Sequence, residues 1–242
     1  MKHIILSDIH GNLEALNSVL KAAEKEGEIK YCLGDTVGYG ANPSECLAAV
    51  QHLEPSTVKG NHEAAVIHPG LTAVFNPQAR QAVFWTREHL NQEELTKIDL
   101  YPLKQVYGEV VLVHSNLIEP EKWYYIFSQE DMEANFRFLE EGQVCFFGHS
   151  HIPGIYCWKN RKLSSLPLDG LVKIEPEAKY LINVGAVGQP RDRDARAAYC
   201  VFDPEDKTVA IRRVEYDIHT AQKKIIEAGL PTSLASRLSL GR

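Results

Sequence analysis

The 242-residue sequence has no stretch long and apolar enough to span a membrane, so no membrane partner is expected. Its start carries one Lys and then only a short apolar run, unlike a secretory signal. It has no excess of positive charge: 26 Lys and Arg face 32 Asp and Glu, for a net charge of −6, with the signs interleaved. A sequence-independent nucleic-acid binder needs a basic face, so nucleic acid is not an expected partner. Cysteine is scarce and unpatterned. Cys32, Cys46, Cys145, Cys157 and Cys200 are odd in number, scattered and mostly inside apolar runs. That argues against a disulfide or thiolate-zinc framework and suits reduced core thiols in a cytoplasmic protein. Repeats, low-complexity segments and linkers are also missing, so one domain over 1–242 is expected. The remainder is ordinary for a globular α/β chain, at 44% hydrophobic and 24% charged.

The chain begins as a βα series. Ile4-Ile5-Leu6 reads as a strand, and Leu13, Leu16, Val19, Leu20 and Ala23 repeat at helical spacing. Ile29 to Leu33 is a second strand. Asn42-Pro43-Ser44-Glu45 opens a helix, with an N-cap, Pro at N1 and Glu at N3. Ser56 to Lys59 is a third strand. A helical insertion is expected at about 66–104, walling one side of a cleft, with Phe75, Ala79, Val83, Phe84 and Leu90 as its apolar markers. Further strands are expected at Glu109–Val113, Val144–Phe147, Tyr180–Val184, Tyr199–Phe202 and Val209–Val214. Gln129–Leu139 reads as a helix, and Ile155–Trp158 with Lys162–Leu166 as a hairpin. The tail from Asp217 is expected to be helical and packed on the outside.

Each early strand ends in a polar cluster, where α/β sheets place ligand sites. The first is Ser7-Asp8-Ile9-His10-Gly11-Asn12. On an extended backbone Asp8 and His10 point the same way and make two arms of a metal claw. Alone, this stretch fits equally well a capping Asp and an ordinary loop His. Its recurrence settles the choice. Asp35, Asn61-His62, His114 and His149-x-His151 stand at successive strand ends, and five of the ten His lie in these clusters. Oxygen and imidazole donors without thiolate suit divalent ions of the Mn, Fe or Zn kind, paired when a carboxylate can bridge.

The ordered set Asp8-Ile9-His10, Gly34-Asp35, Gly60-Asn61-His62-Glu63, His114 and Gly148-His149-Ser150-His151 resembles the calcineurin-like metallophosphoesterases. Asp35-Thr36-Val37-Gly38-Tyr39-Gly40 and Gly185 to Arg191 are similar to a small bacterial and archaeal branch of that family. The resemblance implies two packed mixed β-sheets flanked by helices, an α/β/β/α sandwich. It implies two divalent metals, manganese foremost, with Fe, Zn, Ni or Co as alternatives. Asp8, His10 and His151 would hold one, Asn61, His114 and His149 the other, and Asp35 would bridge them. His62 would face the substrate phosphate as the acid. Ser115 and the Val184 to Ala186 segment depart from the family's usual residues, at positions beside the ligands. The implied reaction is hydrolysis of a small phosphoester, a phosphodiester first, by direct attack of metal-bound hydroxide. Phosphomonoesterase, protein phosphatase and dinucleoside-polyphosphate hydrolase use the same motifs. A non-catalytic scaffold of this fold would lack ligands that are present here.

Other residues carry two readings at this level. Asn12 orients a ligand or substrate, or caps the following helix; the first is preferred. Glu63 supports a ligand or is a first-turn helix acid. Trp123-Tyr124-Tyr125 suits core more than a stacking platform. Arg191, after a Gly-rich turn, is expected to reach the substrate. His3, His52, His68, His89 and His219 read as structural.

Overall fold

Ile4, Ile5 and Leu6 are all fully buried, because the strand they form is covered on both faces. The computed structural model, which describes residues 1–242, shows how. In chain order its elements are β1 (His3–Leu6), α1 (Leu13–Ala23), β2 (Glu28–Cys32), α2 (Pro43–His52), β3 (Ser56–Thr57), α3 (Asn61–Ile67), α4 (Pro77–His89), α5 (Gln92–Asp99), β4 (Lys104–Tyr107), β5 (Val110–Val113), α6 (Gln129–Phe136), β6 (Val144–Phe147), β7 (Gly154–Lys159), β8 (Lys162–Leu166), β9 (Val172–Lys173), β10 (Lys179–Asn183), β11 (Ala197–Asp203), β12 (Thr208–Val214), α7 (Ile218–Glu227) and α8 (Thr232–Ser236).

The strands make two six-stranded sheets, ordered β3-β2-β1-β11-β12-β9 and β4-β5-β6-β10-β7-β8. Both are mixed. β1 runs parallel to β2 and antiparallel to β11, and β10 runs parallel to β6 and antiparallel to β7. Side-chain alternation sorts three apolar layers from one chain. Ile5, Leu112, Phe146, Ile182, Cys200 and Phe202 meet between the sheets. Ile4 and Leu6 point the other way, onto Leu16 and Val19 of α1. Val113, Cys145, Phe147 and Leu181 face out of the second sheet onto Met132 and Phe136 of α6. The architecture is therefore the expected two mixed sheets flanked by helices. All five cysteines are buried and unbonded, and no helix is long and apolar enough to cross a membrane.

The segment expected to be helical over 66–104 is divided. α3 stops at Ile67, Pro69–Val74 forms a 3-10 turn, and α4 and α5 follow, each opened by an Asn side chain that accepts from a backbone N–H. The last residue of that range, Lys104, belongs to β4, which pairs antiparallel with β5. Val83 and Leu90 are buried as expected, but Phe84 lies on the outer face. Asn42 stands before α2, yet its amide donates to Glu45 Oε1 at 2.8 Å and accepts no helical N–H. The two-residue strand β9 carries too little pattern to be read from sequence.

Candidate active site

Asp8, His10, Asp35, His149 and His151 share an uncommon backbone state. Their φ values are 54°, 50°, 51°, 65° and 61°, in the left-handed region. The expectation that Asp8 and His10 alternate on extended backbone is therefore corrected: left-handed turns, not pleating, aim them at one place. Such conformations cost about 1–3 kcal/mol each and persist where surroundings over-determine them. The surroundings here are specific. Asp8 N–H donates to Gly34 O, His10 N–H to Asp35 O and Gly11 N–H to Thr36 O, stitching the two strand-end loops together.

Each carboxylate is split between framework and cluster. Asp8 Oδ2 accepts from the Ser7 hydroxyl at 2.6 Å and from His149 N–H at 3.0 Å. Its Oδ1 is buried without a hydrogen bond, 3.2 Å from His151 Nε2 and 3.7 Å from His10 Nε2. Asp35 Oδ1 accepts from His62 N–H at 2.8 Å. Its Oδ2 lies 3.6 Å from His10 Nε2 and 3.3 Å from His114 Nε2. Two motif glycines allow this approach. A Cβ on Gly148 would stand 2.3 Å from Asp8 Oδ2, and one on Gly60 2.1 Å from Asp35 Oδ1.

Three imidazoles are oriented from behind. Nδ1 of His10, His114 and His151 faces the carbonyls of Val37 (3.0 Å), Leu33 (2.7 Å) and Gln189 (2.5 Å). Donation there leaves each Nε2 lone pair turned inward, the tautomer a metal requires. The consequence is a set of acceptors facing acceptors. His10 Nε2 is 3.1 Å from His151 Nε2, and His114 Nε2 is 3.1 Å from Asn61 Oδ1. His149 Nε2 is buried with no partner. Lone pairs pointed at one another across 3 Å need a positive charge between them, so the donor set fits divalent cations. Three groups of donors are close enough to hold an ion: Asp8, His10 and His151; Asp35, His114 and His149; and His10, Asp35 and His62.

The electrostatics agree. Burial opposes the charge on Asp8, but His151 and His10 outweigh it and hold its pKa well below the usual carboxylate range. Asp35 is likewise kept ionised against burial, chiefly by His114 and His62. Burial lowers His149 to about 3 and, with Arg191, His151 to about 4. His114 goes the other way, to about 9, because Asp35 overcomes its burial; in the metal-free protein a proton takes the place on its Nε2 that a metal would occupy. His62 is held well below its ordinary value by burial, against the pull of Asp35.

Glu63 has both of its suggested roles. Its Oε2 accepts from Asp35 N–H (2.8 Å) and Gly60 N–H (2.9 Å), and Oε1 from Thr36 N–H (2.7 Å) and Val37 N–H (3.3 Å). One fully buried carboxylate thus starts α3 and clamps the Asp35 loop. Burial, then the Asp35 charge, pushes its pKa up to about 7. Asn12 caps α1: its Oδ1 accepts from Ala15 N–H at 3.1 Å and its amide donates to Gly188 O at 2.8 Å. Arg191 lies at the site's edge, its guanidinium carbon 5.7 Å from the Tyr39 ring centre. His3 packs on Tyr31 and Phe202, and His89 stacks on Trp85.

Beside the cluster opens a cleft of about 210 Å³ that touches Asn61, His62 and His149. Phe75, Asn76 and Ala79 of the insertion form one wall, Trp123 and Tyr125 the other. The aromatic cluster is therefore not core. Tyr124 and Tyr125 are exposed, and Tyr125 stacks on His149 with ring centres 4.2 Å apart. Sequence reasoning assigned no role to Tyr39, Asn183 or Arg237. Tyr39 packs between His10 and His62, at 4.6 and 4.4 Å. The Asn183 amide donates to Gly148 O (2.7 Å) and Ser150 Oγ (2.9 Å), fixing the His149 loop. Only the quoted Gly38-Tyr39-Gly40 stretch carried a signal for any of them.

Comparison with known proteins places this geometry. The profile of the calcineurin-like phosphoesterase superfamily domain matches residues 1–207. An uncharacterized protein of Methanocaldococcus jannaschii is 41% identical over 244 residues, covering 98% of this chain and 97% of its own. The crystal structure of a metallophosphoesterase from Sphaerobacter thermophilus superposes with a TM-score of 0.87 at 37% identity, over 100% of both chains. A hypothetical protein from Pyrococcus horikoshii shares the fold, with a TM-score of 0.82 at 20% identity over 100% of this chain and 98% of its own. The chain therefore belongs to the calcineurin-like phosphoesterase superfamily and is a phosphoester hydrolase.

Proposed function

We propose that the protein is a dinuclear-metal phosphodiesterase. The observation that carries this reading is Asp35 Oδ2, which lies between His10 Nε2 and His114 Nε2, one from each donor set. Asp8, His10 and His151 would hold the first cation, Asn61, His114 and His149 the second, and Asp35 would serve both. Oxygen and imidazole donors without thiolate suit manganese, iron, zinc, nickel or cobalt, and manganese comes first on the family resemblance. When bound, the two cations supply the Lewis acidity that activates water and offsets charge on the phosphoryl oxygens.

The chain's own residues do the rest. Arg191 offers a planar donor to a phosphoryl oxygen. The cleft by His62 takes the ester substituent that leaves, since aromatic rings form much of its wall and Lys122 is the one cation among its lining. Monoesters and diesters both carry such a substituent; the diester is preferred because the chain resembles the small bacterial and archaeal branch of the family. His62 stands at the inner end of that cleft. Burial keeps it neutral in the free protein, and the charge of an incoming phosphate favours its protonated form. From that form it can deliver a proton to the departing oxygen. Its Nδ1 is buried without a partner, and Gly38 leaves the room for it: a Cβ there would come within 2.2 Å of that atom.

His62 also lies within reach of a cation between His10 and Asp35, so the acid role needs a test that separates it from ligation. His62→Ala is expected to keep its metal content and to slow hydrolysis roughly 10²–10⁴-fold for alkoxide leaving groups. The loss should shrink to a few-fold for nitrophenolate, which needs little proton donation. Loss of metal, or an equal loss on good and poor leaving groups, would make His62 a ligand or a phosphate clamp.

A further inference from the structure

Two arginines meet beside the site with no acid to neutralise them. Arg191 Nη2 donates to Gln189 Oε1 at 2.9 Å, and Arg237 Nη1 donates to the same oxygen at 3.1 Å. One neutral carbonyl therefore anchors two guanidinium groups. The acids of the neighbouring loop are taken, since Asp192 pairs with Arg213 and Asp194 with Arg196. Arg191 Nε is buried and has no partner at all. Burial, then the charge of Arg191, weakens the proton affinity of Arg237. Like charges gathered at a half-buried place call for an anion.

The pair is tied to the reaction centre through its anchor. The Gln189 backbone carbonyl faces His151 Nδ1, and Arg191 N–H donates to His151 O at 3.2 Å. Arg191 is the inner member, its charge felt by both His62 and His151. Arg237 is the outer one. It comes from the tail beyond the residues that match the family profile. Leu234, Ala235 and Leu238 seat that tail against Tyr39 and Ala79, and Arg193 N–H donates to Gly241 O. The tail is therefore not merely packed on the outside.

Resting on the phosphodiesterase reading, we propose that Arg237, set outward of Arg191 on the shared Gln189 anchor, forms a subsite for a second, non-scissile phosphoryl group, with Arg191 left to the scissile one. The preferred substrates are then phosphodiesters that carry a further phosphate on the side away from the leaving group. A single phosphoryl group reaches the inner arginine alone, whereas a longer anion spans both.

The test is calorimetric titration of the metal-stripped full chain with orthophosphate and with tripolyphosphate, at one ionic strength. The wild type should bind tripolyphosphate about tenfold tighter or more, as expected of added charge-assisted hydrogen bonds. Arg237→Ala should remove that preference and leave orthophosphate binding nearly as it was. Arg237→Gln, which removes the charge but keeps a polar side chain on the tail, should do the same while Leu234, Ala235 and Leu238 keep the tail seated. A wild type without preference for the longer anion, or variants that retain it, overturns the proposal. Because no metal or turnover is involved, its failure is separable from failure of the catalytic reading, which would show as no hydrolysis of any phosphodiester by the metal-loaded protein.

Discussion

Asp35→Asn is expected to weaken both metal positions together. The wild type, loaded with Mn²⁺ and desalted, should approach two ions per chain, and the variant should retain close to none. Asn can keep the acceptor that holds His62 N–H, so the loop stays in place. What it turns toward His10 and His114 is then an amide that carries no negative charge and offers hydrogens where a cation would sit. Affinity should fall by more than the roughly 10–100-fold that loss of an outer supporting partner costs. Phosphodiester hydrolysis should fall with it. His149→Ala is the control and should deplete one position only. A variant that still binds two ions tightly would show that Asp35 is not shared.

Glu63→Ala should cause a large loss of stability although the residue touches neither metal nor substrate. It removes the acceptor for four backbone N–H groups in a place closed to solvent. Each orphaned donor costs about 1–3 kcal/mol, part of it regained by relaxation. A net loss of about 4 kcal/mol or more is expected, or a drop in Tm on the order of 10 °C for a chain of this size. Glu63→Gln keeps one oxygen and presents an amide to the other donors, so it should fall between. The measurement is thermal unfolding of the metal-free proteins. A Tm for Glu63→Ala within about 2 °C of wild type would mean that the two loops hold without the clamp.

The parts of this molecule that sequence made legible are those encoded locally. Strand ends with polar clusters, and helices with apolar stripes, could be read from neighbours a few residues apart. The eight side chains from Asp8 to His151 were singled out because their clusters recur at strand ends, and the fold brings them together. How they converge was not legible. Left-handed backbone at Asp8 and His10 is set by hydrogen bonds to the Asp35 loop, nearly thirty residues away in sequence. Asn12 illustrates a bond that local pattern cannot foresee: a cap on α1 is one reading of its place in the sequence, but the partner of its amide, the carbonyl of Gly188, lies 176 residues away. Tyr124 and Tyr125 look like core by composition, but no layer covers them. Arg237 was invisible for the same reason, since nothing in the tail's own pattern says that it returns to Gln189.

The central claim is that one carboxylate joins two metal positions, and anomalous diffraction from crystals grown with Mn²⁺ tests it most directly. Two anomalous peaks are predicted. One should fall among Asp8, His10 and His151, the other among Asn61, His114 and His149, with the Asp35 carboxylate touching both. A single peak, or a second peak held by His62 in place of Asn61 and His149, would contradict the account.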